Sequence, residues 1–394
     1  GQRRAVLAPA DFVARFAQLA GKGDGLGLHA LLRTTEQAAP AAASSAGAGD
    51  GAAEEVLRAQ RAGASEEGLE ALCSAMRRWC QRYLGHKGSS AGWMVLPFLW
   101  LVSRPRQLAA ELDRAGRTEK HQKKLVEALR EQFQKLHRDR QKREGALAVC
   151  CELLRLYFRL GQASQCSFVL AAVSQAQRGE PLDLEALPKA LAVALCYLWG
   201  KHCVLEGNVV EAEEKLGWAL AHCPPGAAAN RRRILAYLVP CRLRLGRLPA
   251  RGLLRRHELD GLAGIIRAVA NGDVQRFNCE LEEQEPELIR LGTFLVVEKL
   301  KLQVYRRLCQ RVYEAVASDL AAAGKAEQRH KQDLGPYERA LEWQDGCDAE
   351  ETVCILAHLI YVGAIRGYLS DEHHKIVFSK DSPFPSPAAW GPKV

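Results

Sequence analysis

The sequence predicts an all-α protein, an irregular superhelix of helical hairpins that ends in a winged-helix module with a small β-hairpin. Three observations predict this fold class. Apolar residues recur at three- and four-residue steps along most of the chain, as they do in amphipathic helices. Glycine-containing turns separate these segments at short intervals. The alternation of apolar and polar residues with a period of two, which is typical of a strand, is confined to one place near the C-terminus.

The bulk composition is that of a soluble globular protein. Of the 394 residues, 48% are apolar and 26% are charged, which is too apolar for a disordered chain. We expect no signal peptide, since Asp11 and Arg15 interrupt the start before any long apolar core. The most apolar stretch, Trp93–Val102, is about half of the roughly 20 residues that a membrane span needs. We therefore expect no membrane partner.

The cysteines form no recognisable framework. There are 13 of them, an odd number, and no C-x-x-C pair occurs. Disulfide scaffolds belong to small secreted chains, and zinc sites need closely spaced pairs of ligands. We therefore expect reduced, buried cysteines in a cytosolic or nuclear protein, with no metal and no other cofactor.

Positive charge is concentrated in one segment. The formal net charge is +9, and no Asp or Glu occurs from Lys215 to His257. Ten positive charges lie in this segment, so the rest of the chain carries −1 (9 − 10). These residues, called the arginine run below, are Lys215, Arg231, Arg232, Arg233, Arg242, Arg244, Arg247, Arg251, Arg255 and Arg256. Such a concentration indicates an anionic partner, although a run of charge can also be a solvated helix face.

The N-terminal region combines helices with stretches of small residues. Gly21–Gly27 and Ala38–Ala53 are expected to be flexible linkers because they have little apolar surface to bury. Helical periodicity returns in Leu69–Leu84 and again in Lys120–Arg143, whose exposed face is rich in Lys and Arg.

A repeat-like region of helical hairpins follows. Its glycine turns lie at Gly161, Gly207, Gly246 and Gly272, at unequal spacings. The segment Leu205–Pro225 resembles the second half of a tetratricopeptide unit, with one apolar stripe and a helix stop at Pro224. Helix pairs of this kind stack because neither helix can bury its stripe alone. A single long helix is expected over Phe294–Ala317.

The last 50 residues or so change character. After an expected helix at Leu334–Trp343, Asp348 and Glu351 match a capping box, and Gly363 is placed to end the helix that follows. The residues expected to face the core are Val353, Leu356, Ala357, Ile360 and Tyr361. This arrangement of helix, helix and β-hairpin is that of a winged helix.

The hairpin consists of Gly367–Ser370 and Lys375–Ser379, with Asp371–His374 at its tip. We predict strand content only within about Tyr368–Ser379. The prolines from Pro383 onward are expected to end the ordered structure.

No motif supports an enzyme. Gly88–Gly92 matches the G-x-S-x-G nucleophile elbow, but that motif needs a strand before the serine, and a helix is expected before Ser90. His373 and His374 are expected at a solvated wing tip, since adjacent histidines on a strand point to opposite sides and rarely share a metal. No Walker A loop or dinucleotide-binding glycine loop occurs, and we expect no small-molecule substrate.

The C-terminal half resembles the PCI module, in which helical hairpins lead directly into a winged helix. It is most similar to the PCI-domain subunits of transcription and export complex 2. The likeness covers about Phe158–Pro385, and a weaker one begins at Trp93. The segments that carry it are AEEKLGWALAHCPP (Ala212–Pro225), Asn230–Pro249, LLRRHEL (Leu253–Leu259), IIRAVANGDVQRFN (Ile265–Asn278), Arg290–Leu308 and Cys354–Pro385.

Composition and resemblance together predict a division of the chain. The expected segments are an N-terminal helical part with linkers (1–92), tetratricopeptide-like repeats (93–330), the winged helix (331–382) and a proline-rich tail (383–394), with the PCI module at about 197–380.

The resemblance implies a scaffold in nuclear mRNA export, associated with the nuclear pore. Its expected partners are a GANP-type PCI scaffold protein, a small acidic subunit shared with the proteasome lid, and the RNA or DNA backbone without strong sequence preference. The residues expected to bind nucleic acid are Arg366, Lys375, Lys380, Lys325, Arg329 and Lys331. Those expected to bind the acidic subunit or nucleic acid are Arg231, Arg232, Arg233, Arg244, Arg247, Arg251, Arg255 and Arg256.

Two alternatives stay open at this point. The chain could be a signalosome-type or splicing-linked PCI subunit whose winged helix serves protein–protein assembly only. Salt dependence separates the two classes, since nucleic-acid binding weakens steeply with salt and a helix-packing interface does not. Base reading is not expected, because Ala349–Val362 lacks Lys, Arg, Asn and Gln.

Overall fold

The computed structural model describes residues 9–35, 51–86, 89–175, 182–370 and 372–390. It divides into two compact units, Gly1–Leu198 and Trp199–Val394. The first unit and the start of the second contain α1 (Pro9–Gly21), α2 (Gly25–Thr35), α3 (Gly51–Ala62), α4 (Glu66–Gly85), α5 (Val95–Gly116), α6 (Lys120–Leu136), α7 (Arg143–Arg159), α8 (Ala163–Gln175) and α9 (Lys189–Leu205). The four-segment division expected from the sequence stays a prediction.

The helical prediction is confirmed in this unit, with two corrections to helix ends and linkers. The helix expected at 69–84 is α4, but the one expected to run to Arg143 ends at Leu136 and is followed by a short 3-10 helix, Arg140–Lys142. Periodicity could not show this end, because the apolar pattern resumes in α7.

The expected linker Gly21–Gly27 is a tight turn between α1 and α2. Gly23 has φ +67°, and a Cβ on Gly25 would lie 1.9 Å from the carbonyl oxygen of Trp93. These glycines are therefore needed for close backbone approach and not for flexibility. Of the second expected linker, residues 38–50 lie outside the described residues, while Gly51–Ala53 begin α3 with Ala52 and Ala53 buried.

The second unit continues the hairpin array into the winged helix. Its helices are α10 (Val209–His222), α11 (Ala228–Arg244), α12 (Arg251–Arg256), α13 (Ala263–Asn271), α14 (Val274–Leu291), α15 (Phe294–Glu298), α16 (Lys301–Ala322), α17 (Gly335–Asp345) and α18 (Ala349–Tyr361). Its strands are β1 (Lys331–Asp333), β2 (Gly367–Ser370) and β3 (Lys375–Phe378). The all-α class with a winged-helix end is confirmed.

The glycine turns are confirmed by their backbone conformation. Gly161, Gly207, Gly246 and Gly272 all have φ between +67° and +78°, a region that favours glycine. The tetratricopeptide-like helix is α10, which Asn208 caps and which buries Ala212, Leu216 and Ala219.

The long helix expected over Phe294–Ala317 is two helices. α15 ends at Glu298, and α16 begins at Lys301 after a tightened turn in which the Leu300 N–H donates to the Val297 carbonyl over 2.9 Å. Val297 and Leu300 are both buried. The apolar spacing continues across the break, so the sequence pattern could not reveal it.

The sheet of the winged helix has three antiparallel strands in the order β1-β3-β2. The expected hairpin is confirmed, but the expectation of strand content only within about 368–379 was wrong. Lys331–Asp333 also pairs with β3. This strand has three polar residues and no local strand signal, so only its partner defines it.

α18 has the expected capping box at Asp348 and Glu351, and Gly363 has φ +78°. Its buried residues, however, are Thr352, Leu356 and Leu359, while Ala357 and Tyr361 are exposed. The helix is turned so that a neighbouring stripe faces the core, because both stripes are apolar enough to be candidates.

The proline-rich segment does not end the ordered structure. Pro385 is buried, and the Phe384 ring lies 5.5 Å from the Tyr313 ring of α16. The Arg306 guanidinium donates to the Phe384 carbonyl oxygen over 2.7 Å. Residues 383–390 therefore pack back onto the second unit.

None of the helices in the described part of the chain is long and apolar enough to cross a membrane.

α16 leads into the winged helix. Its backbone approaches the end of α13 closely. Arg307 and Arg311 of α16 donate to the Ala270 and Asn271 carbonyl oxygens at the end of α13. A Cβ on Gly272 would lie 2.5 Å from the backbone nitrogen of Leu308. The turn after α13 can therefore hold only glycine without displacing α16.

We expect Gly272→Ala to lower the free energy of unfolding by about 3 kcal/mol, the sum of positive-φ strain and overpacking. Gly346→Ala is the matched control, because Gly346 has φ +70° but no atom within 4 Å of an added Cβ. It should cost about 1 kcal/mol, from positive-φ strain alone. Urea denaturation of both variants measures the difference, and equal losses would contradict the close-approach argument.

Candidate nucleic-acid and partner interface

The strand register determines which side chains of the winged-helix sheet face outward. Lys331, Val377 and Tyr368 lie opposite one another in one row across β1, β3 and β2. Asp333, Lys375 and Ser370 form the next outward row. These six residues are called the outer sheet face below.

The opposite face of the sheet points into the interior of the second unit. Gln332, Ile376 and Phe378 are buried. The Gln332 amide donates to the Tyr313 and Arg329 carbonyl oxygens and accepts from the Tyr337 hydroxyl over 2.6 Å. This inward network holds Lys331 and Lys375 on the solvent side.

The basic residues predicted for the wing differ in how far they are neutralised. Lys375 lies 3.6 Å from the Asp333 carboxylate on the neighbouring strand. Lys331, Arg366 and Lys380 are exposed, and none of them has an ion-pair partner among the described residues. Three of the four cations are therefore available to an external anion.

Lys325 and Arg329 lie on the approach to β1. Arg329 belongs to a 3-10 helix, Ala326–His330, that leads into Lys331, and Lys325 precedes it. Both side chains are exposed and unpaired within the described part of the chain. The structure thus places two of the predicted cations next to the β1 edge of the sheet.

The wing tip carries exposed polar residues. Glu372, His373 and His374 are exposed, and the His374 ring lies 3.0 Å from the Glu338 carboxylate. Asp371 lies outside the described residues. No group of three or more His, Cys, Asp or Glu in the described ranges is arranged to hold a metal ion.

α18 exposes few groups that could read a base edge. Its exposed residues are Ala349, Glu350, Glu351, Cys354, Ala357, His358 and Tyr361. Major-groove readout relies mainly on Arg, Lys, Asn and Gln. The two acidic residues in the first turn would also repel phosphate. The geometry favours backbone contact by other parts of the module.

Carboxylates neutralise more of the arginine run than its sequence indicates. Arg242 lies 3.0 Å and Arg247 3.3 Å from Glu213. Arg232 lies 2.9 Å from Glu258. Both carboxylates flank the run in sequence, and the fold turns them back onto it.

Two further arginines stabilise the unit itself. Arg231 donates to the Leu220 and Cys223 carbonyl oxygens over 3.1 and 2.9 Å, so it caps the end of α10. The Arg244 guanidinium lies 5.7 Å from the centre of the Trp390 ring. Burial lowers the pKa of Arg244, which fits a packed side chain.

The remaining arginines of the run lie on α11 and α12, next to His257 in sequence or one helix before it. Burial, with Arg231 and Arg256 nearby, lowers the pKa of His257. Arg233, Arg255 and Arg256 are exposed and have no ion-pair partner among the residues that the structure describes. The side chain of Arg251 lies outside the described set. Arg233, Arg255 and Arg256, called the free arginines below, are the best candidates for a partner contact.

Ser90 lies in a setting that does not fit a nucleophile elbow. Ser89–Met94 forms a 3-10 helix that leads directly into α5. The strands in the described residues all lie in the winged helix, so no sheet stands before this serine.

Comparison with known proteins identifies the architecture. No family model matches the chain. It is 37% identical over 245 residues to Enhanced ethylene response protein 5 of Arabidopsis thaliana, covering 62% of this chain and 57% of that protein. It is 35% identical over 247 residues to the PCI domain-containing protein 2 homolog of Drosophila melanogaster, covering 62% and 58%. The chain is therefore similar to PCI domain-containing proteins over about three fifths of its length.

A fungal relative extends the same similarity. Protein CSN12 homolog of Neurospora crassa is 30% identical over 240 residues, which cover 59% of this chain and 53% of that protein. The chain thus spans somewhat more than half the length of the curated relatives that it matches.

Sequence reasoning missed one exposed residue of the candidate interface. Tyr368 is 61% exposed at the β2 end of the row that it forms with Lys331 and Val377 on the outer sheet face. The sequence pattern marks it only as a strand former. The alternation Arg366-x-Tyr368-x-Ser370 could have indicated that the ring shares a face with a cation.

We expect Glu213→Gln to lower the free energy of unfolding by about 1 kcal/mol, because it removes the partner of both Arg242 and Arg247. The Glu213 side chain is only 18% exposed. Glu214→Gln is the matched control, since Glu214 is 71% exposed and, among the described residues, pairs only with Lys215; its effect should be near zero. Equal denaturation midpoints for the two variants would contradict the assigned pairing.

Proposed function

We propose that this PCI protein is a non-enzymatic scaffold subunit of a nuclear mRNA-export assembly at the nuclear pore, coupling transcription to export. Its PCI module pairs with a second, GANP-type PCI scaffold and binds a small acidic subunit. Its winged helix adds basic surface for RNA or DNA phosphates. The observation that carries the nucleic-acid part is the set of exposed, unpaired cations at the sheet: Lys331, Arg366 and Lys380.

The contact with nucleic acid is made to phosphates and not to base edges. α18 lacks the donors that read a major groove, whereas Lys and Arg at the sheet suit phosphate oxygens. Few cations are available, so this chain alone binds weakly, and the PCI pair, with two winged helices, binds more tightly.

A second candidate is a PCI subunit whose winged helix serves assembly only, as in a signalosome-type or splicing-linked complex. Two exposed aromatic side chains on the winged-helix helices favour it, Trp343 at 77% and Tyr361 at 59% exposure. The relative named Protein CSN12 homolog is in keeping with this candidate. The two candidates differ in whether binding depends on salt.

We expect Lys375→Glu/Lys380→Glu to weaken nucleic-acid binding by this chain and by the PCI pair. Removing one phosphate contact should reduce the slope of log K against log salt by about 0.7 to 0.9, with little change in sequence preference. Electrophoretic titration at several salt concentrations measures both quantities. Lys22→Glu/Lys299→Glu, which alters two exposed lysines outside the winged helix, is the charge-matched control.

If the PCI pair that carries Lys375→Glu/Lys380→Glu binds nucleic acid with unchanged affinity, the phosphate contact is contradicted. The candidate whose winged helix serves assembly only then remains. Strong preference for one sequence would contradict backbone recognition. An equal loss in the control variant would show that only net charge matters.

We expect reversal of the free arginines, Arg233→Glu/Arg255→Glu/Arg256→Glu, to weaken binding of the small acidic subunit at least tenfold, since each substitution replaces attraction by repulsion. The fold should survive, because these side chains have no ion-pair partner among the described residues. Calorimetric titration at moderate salt measures the affinity.

The matched control is Arg114→Glu/Arg117→Glu/Arg138→Glu, which reverses three exposed arginines of the first unit. If the affinities for the acidic subunit and for RNA both stay unchanged when the free arginines are reversed, these arginines form a solvated face and not an interface.

A further inference from the structure

The outer sheet face combines one exposed aromatic ring with two lysines, Lys331 and Lys375, and the carboxylate of Asp333, which pairs with Lys375. Tyr368 is 61% exposed and lies in the row Lys331–Val377–Tyr368. Among the described residues its ring makes no ring–ring or cation–π contact, and its hydroxyl makes no hydrogen bond. Its cross-strand neighbour Val377 is half-buried and can cover at most one side of the ring.

Three cations surround this ring at spacings that the sheet fixes. Arg366 lies two residues before Tyr368 on the same side of the chain, about 7 Å away along the strand. Lys375 is the diagonal neighbour on β3, about 7 to 8 Å away. Lys331 lies in the same row two strands away, about 10 Å across the sheet. The residue pairing that sets these positions is Tyr368 with Val377 and Lys331 with Val377.

The ladder continues past the end of β2 and keeps Arg366 in place. Its carbonyl accepts from the Ser379 N–H, and its own N–H donates to the Pro383 carbonyl, both over 2.8 Å. The backbone of Arg366 is therefore fixed by two bonds while its side chain is exposed. The charge beside Tyr368 is held by the sheet and not by a loose loop.

We propose that the outer sheet face is a stacking platform for single-stranded nucleic acid, on which one unpaired base lies against Tyr368 while Arg366 and Lys331, which have no ion-pair partner among the described residues, hold the flanking phosphates. This inference rests on the proposed nucleic-acid function and specifies its ligand. A duplex keeps its bases stacked on one another, so it cannot offer a base face to the ring. A single strand can, and stacking on aromatic side chains tolerates any base.

The test compares Tyr368→Phe, Tyr368→Val and Tyr368→Ala in the full chain. Phenylalanine keeps the aromatic face. Valine removes the aromatic face but is still a strand-forming residue, so it separates the loss of stacking from a loss of sheet stability. Binding of fluorescein-labelled oligouridylate and of a 20-base-pair duplex is measured by anisotropy at several salt concentrations. Tyr361→Ala is the matched control, because Tyr361 is 59% exposed but lies on α18.

We expect Tyr368→Ala and Tyr368→Val to weaken oligouridylate binding about tenfold at every salt concentration, with an unchanged salt slope. Tyr368→Phe and Tyr361→Ala should bind as the parent does. Arg366→Gln should instead reduce the slope by about 0.7, the value for one phosphate contact on a single strand. An oligomer carrying 5-iodouridine should cross-link to the peptide that contains Tyr368.

The outcomes separate this inference from the function on which it rests. If the chain and its complex show no salt-dependent binding at all, the proposed nucleic-acid function fails. If binding is salt-dependent but Tyr368→Ala and Tyr368→Val leave it unchanged, only the stacking platform is overturned. Equal or tighter binding of the duplex also overturns it.

Discussion

The burial of one face of β3 is the constraint on which the interface depends. Ile376 and Phe378 are at most 2% exposed. Phe378 meets Tyr313 of α16 at 4.8 Å, Phe384 at 5.5 Å and Tyr337 at 6.1 Å between ring centres. A shift of one residue in the register would move Lys375 into this cluster and Phe378 towards water. The aromatic cluster thus fixes which side chains of the sheet are outside.

The same cluster ties the winged helix to the helical hairpins. Phe384 brings the C-terminal segment onto α16, where Arg306 stacks 5.7 Å from its ring and bonds its carbonyl. Further along that segment, Trp390 lies under Arg244 of α11. Residues from α11, α16, the sheet and the segment 384–390 therefore share one packed region beneath the outer sheet face.

The ion pairs of Glu213 in the second unit join residues that the fold brings together and that are not neighbours in the sequence. Glu213 precedes the arginine run by two residues, yet it pairs with Arg242 and Arg247 because α10 and α11 form an antiparallel hairpin. A half-buried carboxylate with two guanidinium partners stabilises the hairpin, whereas exposed pairs contribute little. The free arginines, which have no ion-pair partner among the described residues, are the candidates of the run for binding an external anion.

The sequence by itself determined the features that depend on neighbours along the chain. Helical periodicity, the capping box at Asp348 and the left-handed glycine turns were predicted correctly, because each involves residues within about one helical turn. The resemblance in the C-terminal half to PCI-domain proteins is confirmed by the similarity to relatives of that name. The candidate cations were chosen from the sequence as well, since charge is a property of composition, and their role in binding stays a prediction.

Only the tertiary structure decided what depends on contacts between distant segments. β1 exists because β3 lies beside it, Gly25 is needed because Trp93 approaches it, and the proline-rich segment is ordered because Tyr313 and Arg306 receive it. Which arginines are free, and that Tyr368 stands among cations, likewise depends on pairing across the fold. Local patterns carry no information about these contacts, because their energy comes from residues that only folding brings together.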